Sequence, residues 1–120
     1  MHDAARPLLE EDVIERVVTA LNEGWDGAVP GLPLADTVKR VDGERVVETL
    51  PRDQLRAVQT PQAFVASVLR EAYSAGDVNA ATDCSSLVEA RGGKVKVVEG
   101  DPKLIKVTDA GDLERVAALL

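Results

Sequence analysis

The stretch DTVKRVDGERVVETL, residues 36–50, is where the fold begins to declare itself. Asp42-Gly43 is a two-residue hairpin signal, because Asp and Gly tolerate positive φ. The flanks, Thr37–Val41 and Arg45–Thr49, are rich in β-branched residues. Folding about that turn sets Arg40 opposite Arg45, and like charges facing each other are unfavourable inside a sheet. Either a longer loop shifts the register, or the hairpin projects into solvent or toward a partner. From Asp36 to Arg56 the chain carries five basic and five acidic residues, so the net charge of −7 resides elsewhere. A cation-rich segment on an acidic chain could receive a small anion; a solvated surface hairpin is the simpler reading.

Upstream, Glu10 to Glu23 is expected to be an amphipathic helix. Val13, Ile14, Val17, Val18 and Leu21 repeat at helical spacing, and Gly24 supplies the stop. GAVPGLPL, residues 27–34, reads as a short buried strand. Downstream, Thr60-Pro61 predicts a helix start, with Phe64, Val65, Val68, Leu69 and Ala72 on its buried face. AGDVNAA (75–81) reads as a loop. Thr82-Asp83 is expected to cap a second helix that stops at Gly92-Gly93. Lys94 to Glu99 alternates as a strand with one wet face, and LIKVT (104–108) reads as another strand. Thr108 is expected to cap a last helix with Leu113, Val116, Ala117 and Leu120 as its stripe. This alternation predicts an α/β layer structure within one domain. HDAARP (2–7), LADT (34–37) and KVT (106–108) fall where strand ends would present ligand-binding loops.

Composition excludes several classes. Cys84 is the only cysteine, so no internal disulfide exists, which fits a reducing, cytoplasmic setting. One Cys and one His cannot build a zinc site. No apolar run is long enough to span a membrane, and no signal peptide is expected. The net charge of −7 argues against nucleic acid as a partner. No glycine-rich phosphate loop of either common kind is present.

Several residues could carry chemistry. A carboxylate at Asp3 could hold Mg²⁺ beside phosphates, and Arg6 could clamp a phosphate with its fork. Alternatively the two form a salt bridge in a helix-entry loop. His2 could act as a base, but a lone histidine near a chain end is far more often structural. Arg52, at the end of the hairpin, is a phosphate ligand or a surface charge. Thr60 and Thr82 are most simply helix caps. Lys106 either snorkels to solvent from an apolar strand or faces a ligand pocket. Cys84 stands at a helix N-terminus, with no base in view to activate it.

Taken in order, HDAARP (2–7), GLPLADTVKRVDG (31–43), LRAVQTPQAF (55–64), ATDCSSLVEARGGKVKVVEGDPKLIKVT (81–108) and DLERVAALL (112–120) form a recognisable set. The chain resembles, over its whole length, the C-terminal half of the 2-C-methyl-D-erythritol 4-phosphate cytidylyltransferases. The resemblance implies the C-terminal portion of a Rossmann-like nucleotidyltransferase fold, with residues 36–58 as a β-arm that reaches a partner subunit in a homodimer. It implies cytidylyl transfer from CTP to methylerythritol phosphate, with Mg²⁺, in non-mevalonate isoprenoid biosynthesis. A non-catalytic dimerisation or phosphate-binding remnant, or a ribitol-phosphate cytidylyltransferase, is the alternative.

The resemblance also assigns residues. Asp3 matches an acid facing metal, nucleotide and substrate, and Arg6 matches a substrate-phosphate contact. Thr37 and Arg52 match arm residues that grip the partner's methylerythritol phosphate. Lys106 matches the strand lysine that positions this phosphate together with the arm arginine. Thr60 and Thr82 match substrate-binding motif positions. Cys84-Ser85 and Leu104 depart from the family's usual acidic, small and polar residues. Met1 falls where the family has the last Val of a strand. The family's nucleotide-binding half, with its glycine-rich loop, has no counterpart here, so the expectation is a sequence cut from a longer reading frame and inactive alone.

Overall fold

The computed structural model describes residues 1–75 and 83–120. After an extended entry segment come helix α1 (Glu11–Asn22), strand β1 (Gly27–Pro33) and the hairpin β2 (Val38–Asp42) and β3 (Arg45–Leu50). A 3-10 turn (Arg52–Gln54), strands β4 (Arg56–Val58) and β5 (Ala63–Phe64), and helices α2 (Ala66–Ala75) and α3 (Cys84–Ala90) follow. Strand β6 (Val95–Glu99) and helix α4 (Ala110–Ala118) end the order.

β1 is the axis of the main sheet. β6 runs parallel to it on one edge, and β4 and β5 pair antiparallel on the other. Its burial explains the run of small and apolar residues, with Gly27 through Gly31 inaccessible. The two sheet faces hold separate cores. Val17 and Ala20 of α1 meet Ala28 and Val98 on one face. On the other, Ala72, Leu87 and Val88 of α2 and α3 meet Phe64 and Val95. Adjacent strand residues such as Ala63 and Phe64 therefore serve opposite layers, as the two-residue period requires. Among the described residues no helix is long and apolar enough to cross a membrane.

The hairpin stands apart from these cores. Every residue of β2 and β3 is exposed except the half-buried Val38 and Leu50 at its base. Its projection helps raise the radius of gyration to 15.9 Å, against about 14 Å for a compact chain of this length. The like-charge conflict is resolved by register. Gly43 and Glu44 form the turn, Asp42 pairs with Arg45, and a bulge after Arg40 sets it opposite Glu48, to which it is ion-paired. The expected Asp42-Gly43 turn is thus displaced by one residue. Gly43 takes φ 62°, which a first turn position of this class requires.

Four local expectations are overturned. Thr60-Pro61 does not start a helix. Its peptide bond is cis, and Gln62 exchanges backbone hydrogen bonds with Met1 at 2.7 and 2.9 Å. Pairing with neighbouring chain takes precedence over the local capping signal, so Phe64 lies in β5 and α2 begins only at Ala66. LIKVT forms no strand; it makes one backbone bond to the entry loop, Val107 N–H to Ala5 O at 2.7 Å. Asp109, not Thr108, caps α4, accepting the Asp112 N–H at 2.8 Å, while Thr108 N–H and O–H both donate to Asp112. The apolar stripe of α4 is buried only at Val116, with Leu113 and Leu120 exposed. α1 likewise buries Val13 and Val17 but exposes Ile14 and Val18. The loop expected at 75–81 lies almost wholly outside the described residues.

Candidate functional site

Residues 2–6 form a tight loop whose polar groups are almost all spoken for. Asp3 Oδ1 accepts the Ala5 N–H at 2.9 Å, and Asp3 O accepts the Arg6 N–H at 3.0 Å. This short-range Asx geometry is what an Asp at the head of a turn does. The Thr60 hydroxyl oxygen accepts the Asp3 N–H at 2.9 Å and lies 3.0 Å from His2 Nδ1. His2 Nε2 is 2.9 Å from Arg6 O. A carbonyl only accepts, so Nε2–H donates to Arg6 O, and the Nδ1–Thr60 contact holds the other side of the ring. His2 is therefore a structural brace, and Thr60 is its counterpart rather than a helix cap.

Lys106 arrives from the far end of the chain. Its Nζ lies 3.6 Å from Asp3 Oδ2, with 52 % and 34 % of the two side chains exposed. An ion pair this long and this wet binds weakly, so the ammonium remains available to a stronger anion. Lys106 thus faces the entry loop rather than running out alone into solvent. The Asp3 carboxyl is held below the ordinary aspartate range, first by the Ala5 N–H and then by Lys106. Arg6 Nη1 donates to Leu104 O at 2.7 Å, while its Nε is buried without a partner. Arg6 therefore binds the 104–108 segment, and no salt bridge joins it to Asp3.

The cleft beside Asp3 is lined also by Met1, His2, Thr60, Gln62, Asp83 and Cys84. Asp83 caps α3 by accepting the Ser86 N–H at 2.8 Å, and it accepts Gln62 Nε2 at 3.0 Å. Those bonds to Ser86 and Gln62 hold its carboxyl low against the opposing effect of its partial burial. Tyr73 Oη lies 3.2 Å from Cys84 Sγ, a contact that raises the Tyr73 phenol. Gln62 and Asp83 are members of this site that the sequence reading did not single out as such.

The structure brings Asp3, Arg6, Thr60 and Lys106 together. It does not bring Arg52 or Thr37 to them within one chain. Arg52 donates to Ala35 O and lines a separate cleft with Pro33, Leu34, Asp53 and Arg56. Thr37 is exposed just before β2. Thr82 lies outside the described residues. No group of three metal-ligating side chains exists among the described residues. Asp3 Oδ2 faces the Lys106 ammonium 3.6 Å away. One carboxylate suits Mg²⁺, which takes most of its ligands from water and phosphates.

The sequence profile of IspD, 2-C-methyl-D-erythritol 4-phosphate cytidylyltransferase, matches residues 1–120. The enzyme of that name from Rubrobacter xylanophilus is 48% identical over 122 residues, covering 100% of this chain and 53% of its own length. That from Saccharopolyspora erythraea is 50% identical, covering 100% of this chain and 54% of its own. The crystal structure of the Thermus thermophilus enzyme superposes with a TM-score of 0.86 at 38% identity, over 98% of this chain and 59% of that one. The chain spans about half the length of the curated relatives it matches. Its sheet and helices are accordingly a portion of the Rossmann-like nucleotidyltransferase fold. With the HDAAR loop, the projecting hairpin and the Asp3–Lys106 pair all in place, the chain belongs to the 2-C-methyl-D-erythritol 4-phosphate cytidylyltransferase family.

Proposed function

We propose that this chain supplies the polyol-phosphate side of a cytidylyltransferase that joins CTP to 2-C-methyl-D-erythritol 4-phosphate in the cytoplasm. The observation that carries the reading is the Asp3–Lys106 pair: a half-exposed ammonium 3.6 Å from a half-buried carboxylate. Lys106 exchanges its loose hold on Asp3 for the substrate phosphate, a stronger and doubly charged partner. Arg52 of a second copy reaches the same phosphate, because the hairpin base carries it away from its own site. Val41, Val46 and Val47, each more than half exposed, are the apolar surface that a second copy covers. Thr37 lies at the start of that arm, Arg6 stands beside Asp3 in the entry loop, and a role for Thr82 in substrate binding rests on the family resemblance alone.

The reaction is an in-line displacement. A phosphate oxygen of methylerythritol phosphate bonds to the α-phosphorus of CTP, and the bond to pyrophosphate breaks. Catalysis of this kind is chiefly positioning and charge neutralisation. Thr60 and His2 lock the loop that aims Asp3. Mg²⁺ held by Asp3 would neutralise phosphate charge. No glycine-rich loop that would cradle the CTP phosphates lies within residues 1–120, so these residues taken by themselves bind the polyol phosphate without turnover.

Calorimetry of the purified chain with methylerythritol phosphate, alongside a CTP-dependent pyrophosphate-release assay, tests this. Saturable binding lost in Lys106→Ala, with no turnover, supports it. Absence of binding, or tighter binding of ribitol 5-phosphate, overturns the assignment.

A further inference from the structure

Two glutamines flank the Thr60-Pro61 bond, and both are buried: Gln59 at 6 % and Gln62 at 4 % exposure. A buried amide needs its hydrogen bonds met, and Gln59 meets them in an unusual way. Its Oε1 accepts the Asp101 N–H at 3.0 Å, and its Nε2 donates to Asp101 O at 2.9 Å. The side chain thus mimics one rung of a β-ladder onto the turn that follows β6. Its own N–H donates to Pro30 O at 2.8 Å, anchoring it to β1. A Cβ at Gly100 would lie 2.4 Å from Gln59 Oε1 and 3.1 Å from Gly31 O. Glycine there makes the entry for the amide.

From Asp101 the chain runs directly into the site. Leu104 N–H donates to the same Asp101 O at 2.9 Å, and Leu104 is fully buried. Its carbonyl holds Arg6, and two residues on stands Lys106. On the other side of the amide, the next residue is Thr60, which holds Asp3. We infer that Gln59 is a positioning residue for phosphate binding: its amide fixes the segment bearing Lys106 relative to Thr60 and hence to Asp3. This rests on Lys106 being the phosphate ligand proposed above.

The amide can be tested by its chemistry. In Gln59→Glu the carboxylate still accepts the Asp101 N–H but offers no hydrogen to Asp101 O. A protonated Glu restores that hydrogen, and burial raises its pKa toward neutral. The charged groups on the facing turn are Asp101, whose carboxylate takes the Lys103 N–H, and Lys103, paired with Glu10 at 3.0 Å. Amide NMR spectra of Thr60 and Lys106, and titration with methylerythritol phosphate, read the outcome. Relative to wild type at the same pH, Gln59→Glu should shift both amides and weaken binding about tenfold near pH 8, recovering to within about twofold near pH 5.5. Gln59→Met, which has neither donor nor acceptor, should show the loss at both values. Val17→Ala, a core change elsewhere, should show it at neither. Unmoved Lys106 amides in the Gln59 variants, or the same losses in Val17→Ala, would overturn the inference. If the wild-type chain binds no phosphate, the proposed function falls, and the Thr60 and Lys106 amide shifts alone decide the role of Gln59.

Discussion

Lys106 Nζ stands 3.6 Å from Asp3 Oδ2, joining the segment before α4 to the entry loop. The Asp3 carboxyl is lowered mainly by the Ala5 N–H and only secondarily by this ammonium. Lys106→Ala should therefore raise the Asp3 pKa part of the way to the ordinary aspartate value, not all of it. An acid lowered on folding adds stability above its unfolded value and loses it as pH falls through the folded one. Carboxyl-carbon NMR titration measures the shift; an unchanged Asp3 titration in Lys106→Ala would show that the pair is idle.

The Thr60 hydroxyl serves two neighbours at once, His2 Nδ1 at 3.0 Å and the Asp3 N–H at 2.9 Å. Thr60→Val keeps the shape and removes both bonds, which should cost about 1–2 kcal/mol in urea unfolding. Thr60→Ser should lie within about 0.5 kcal/mol of wild type, because the hydroxyl is retained. Equal losses in the two variants would show that the methyl group, not the hydroxyl, matters.

Asp112 is held down to about 2, first by Arg115, 2.6 Å away, and then by Thr108. Its contribution to α4 is complete above the unfolded aspartate value and disappears as pH falls from about 4 toward 2. Amide protection across Ala110–Ala118 should fall over that window, and Asp112→Asn should flatten the dependence. Asp109→Ala, which removes the cap itself, should cost about 1 kcal/mol at neutral pH.

The layer order was legible because α1, β1, the hairpin, α3, β6 and α4 announce themselves locally through periodicity and stop signals. β4 and β5 were not. They are three and two residues long, and they exist because β1 offers an edge to pair with. The same long-range pairing overrode the capping signal at Thr60-Pro61. Asp3, Arg6 and Lys106 were singled out by residue type, position and motif resemblance, and the fold sets them close together. Gln59 and Gln62 were not, since nothing local distinguishes a buried glutamine from a solvated one. Only the fold, bringing Asp101 and Asp83 to their amides, reveals what they hold.

Val41 and Val46 face each other on the hairpin and are 56% and 54% exposed. If a second copy covers them, Val41→Asp or Val46→Asp should give a monomer by sedimentation while the melting temperature of the isolated fold hardly moves, because neither side chain is in a core. An unchanged dimer, or a wild-type chain that is itself monomeric, would remove the arm from the account.

The most direct measurement is of trans sharing between copies. Lys106→Ala and Arg52→Ala should each abolish methylerythritol phosphate binding. When the two variants are mixed, dissociated and reassembled, half of the dimers are mixed, and each mixed dimer has one intact Lys106–Arg52 site. Calorimetry should then recover about a quarter of the wild-type sites at wild-type affinity. Recovery of no sites, or full binding by Arg52→Ala alone, would contradict the claim that one copy's arm completes the other copy's phosphate site.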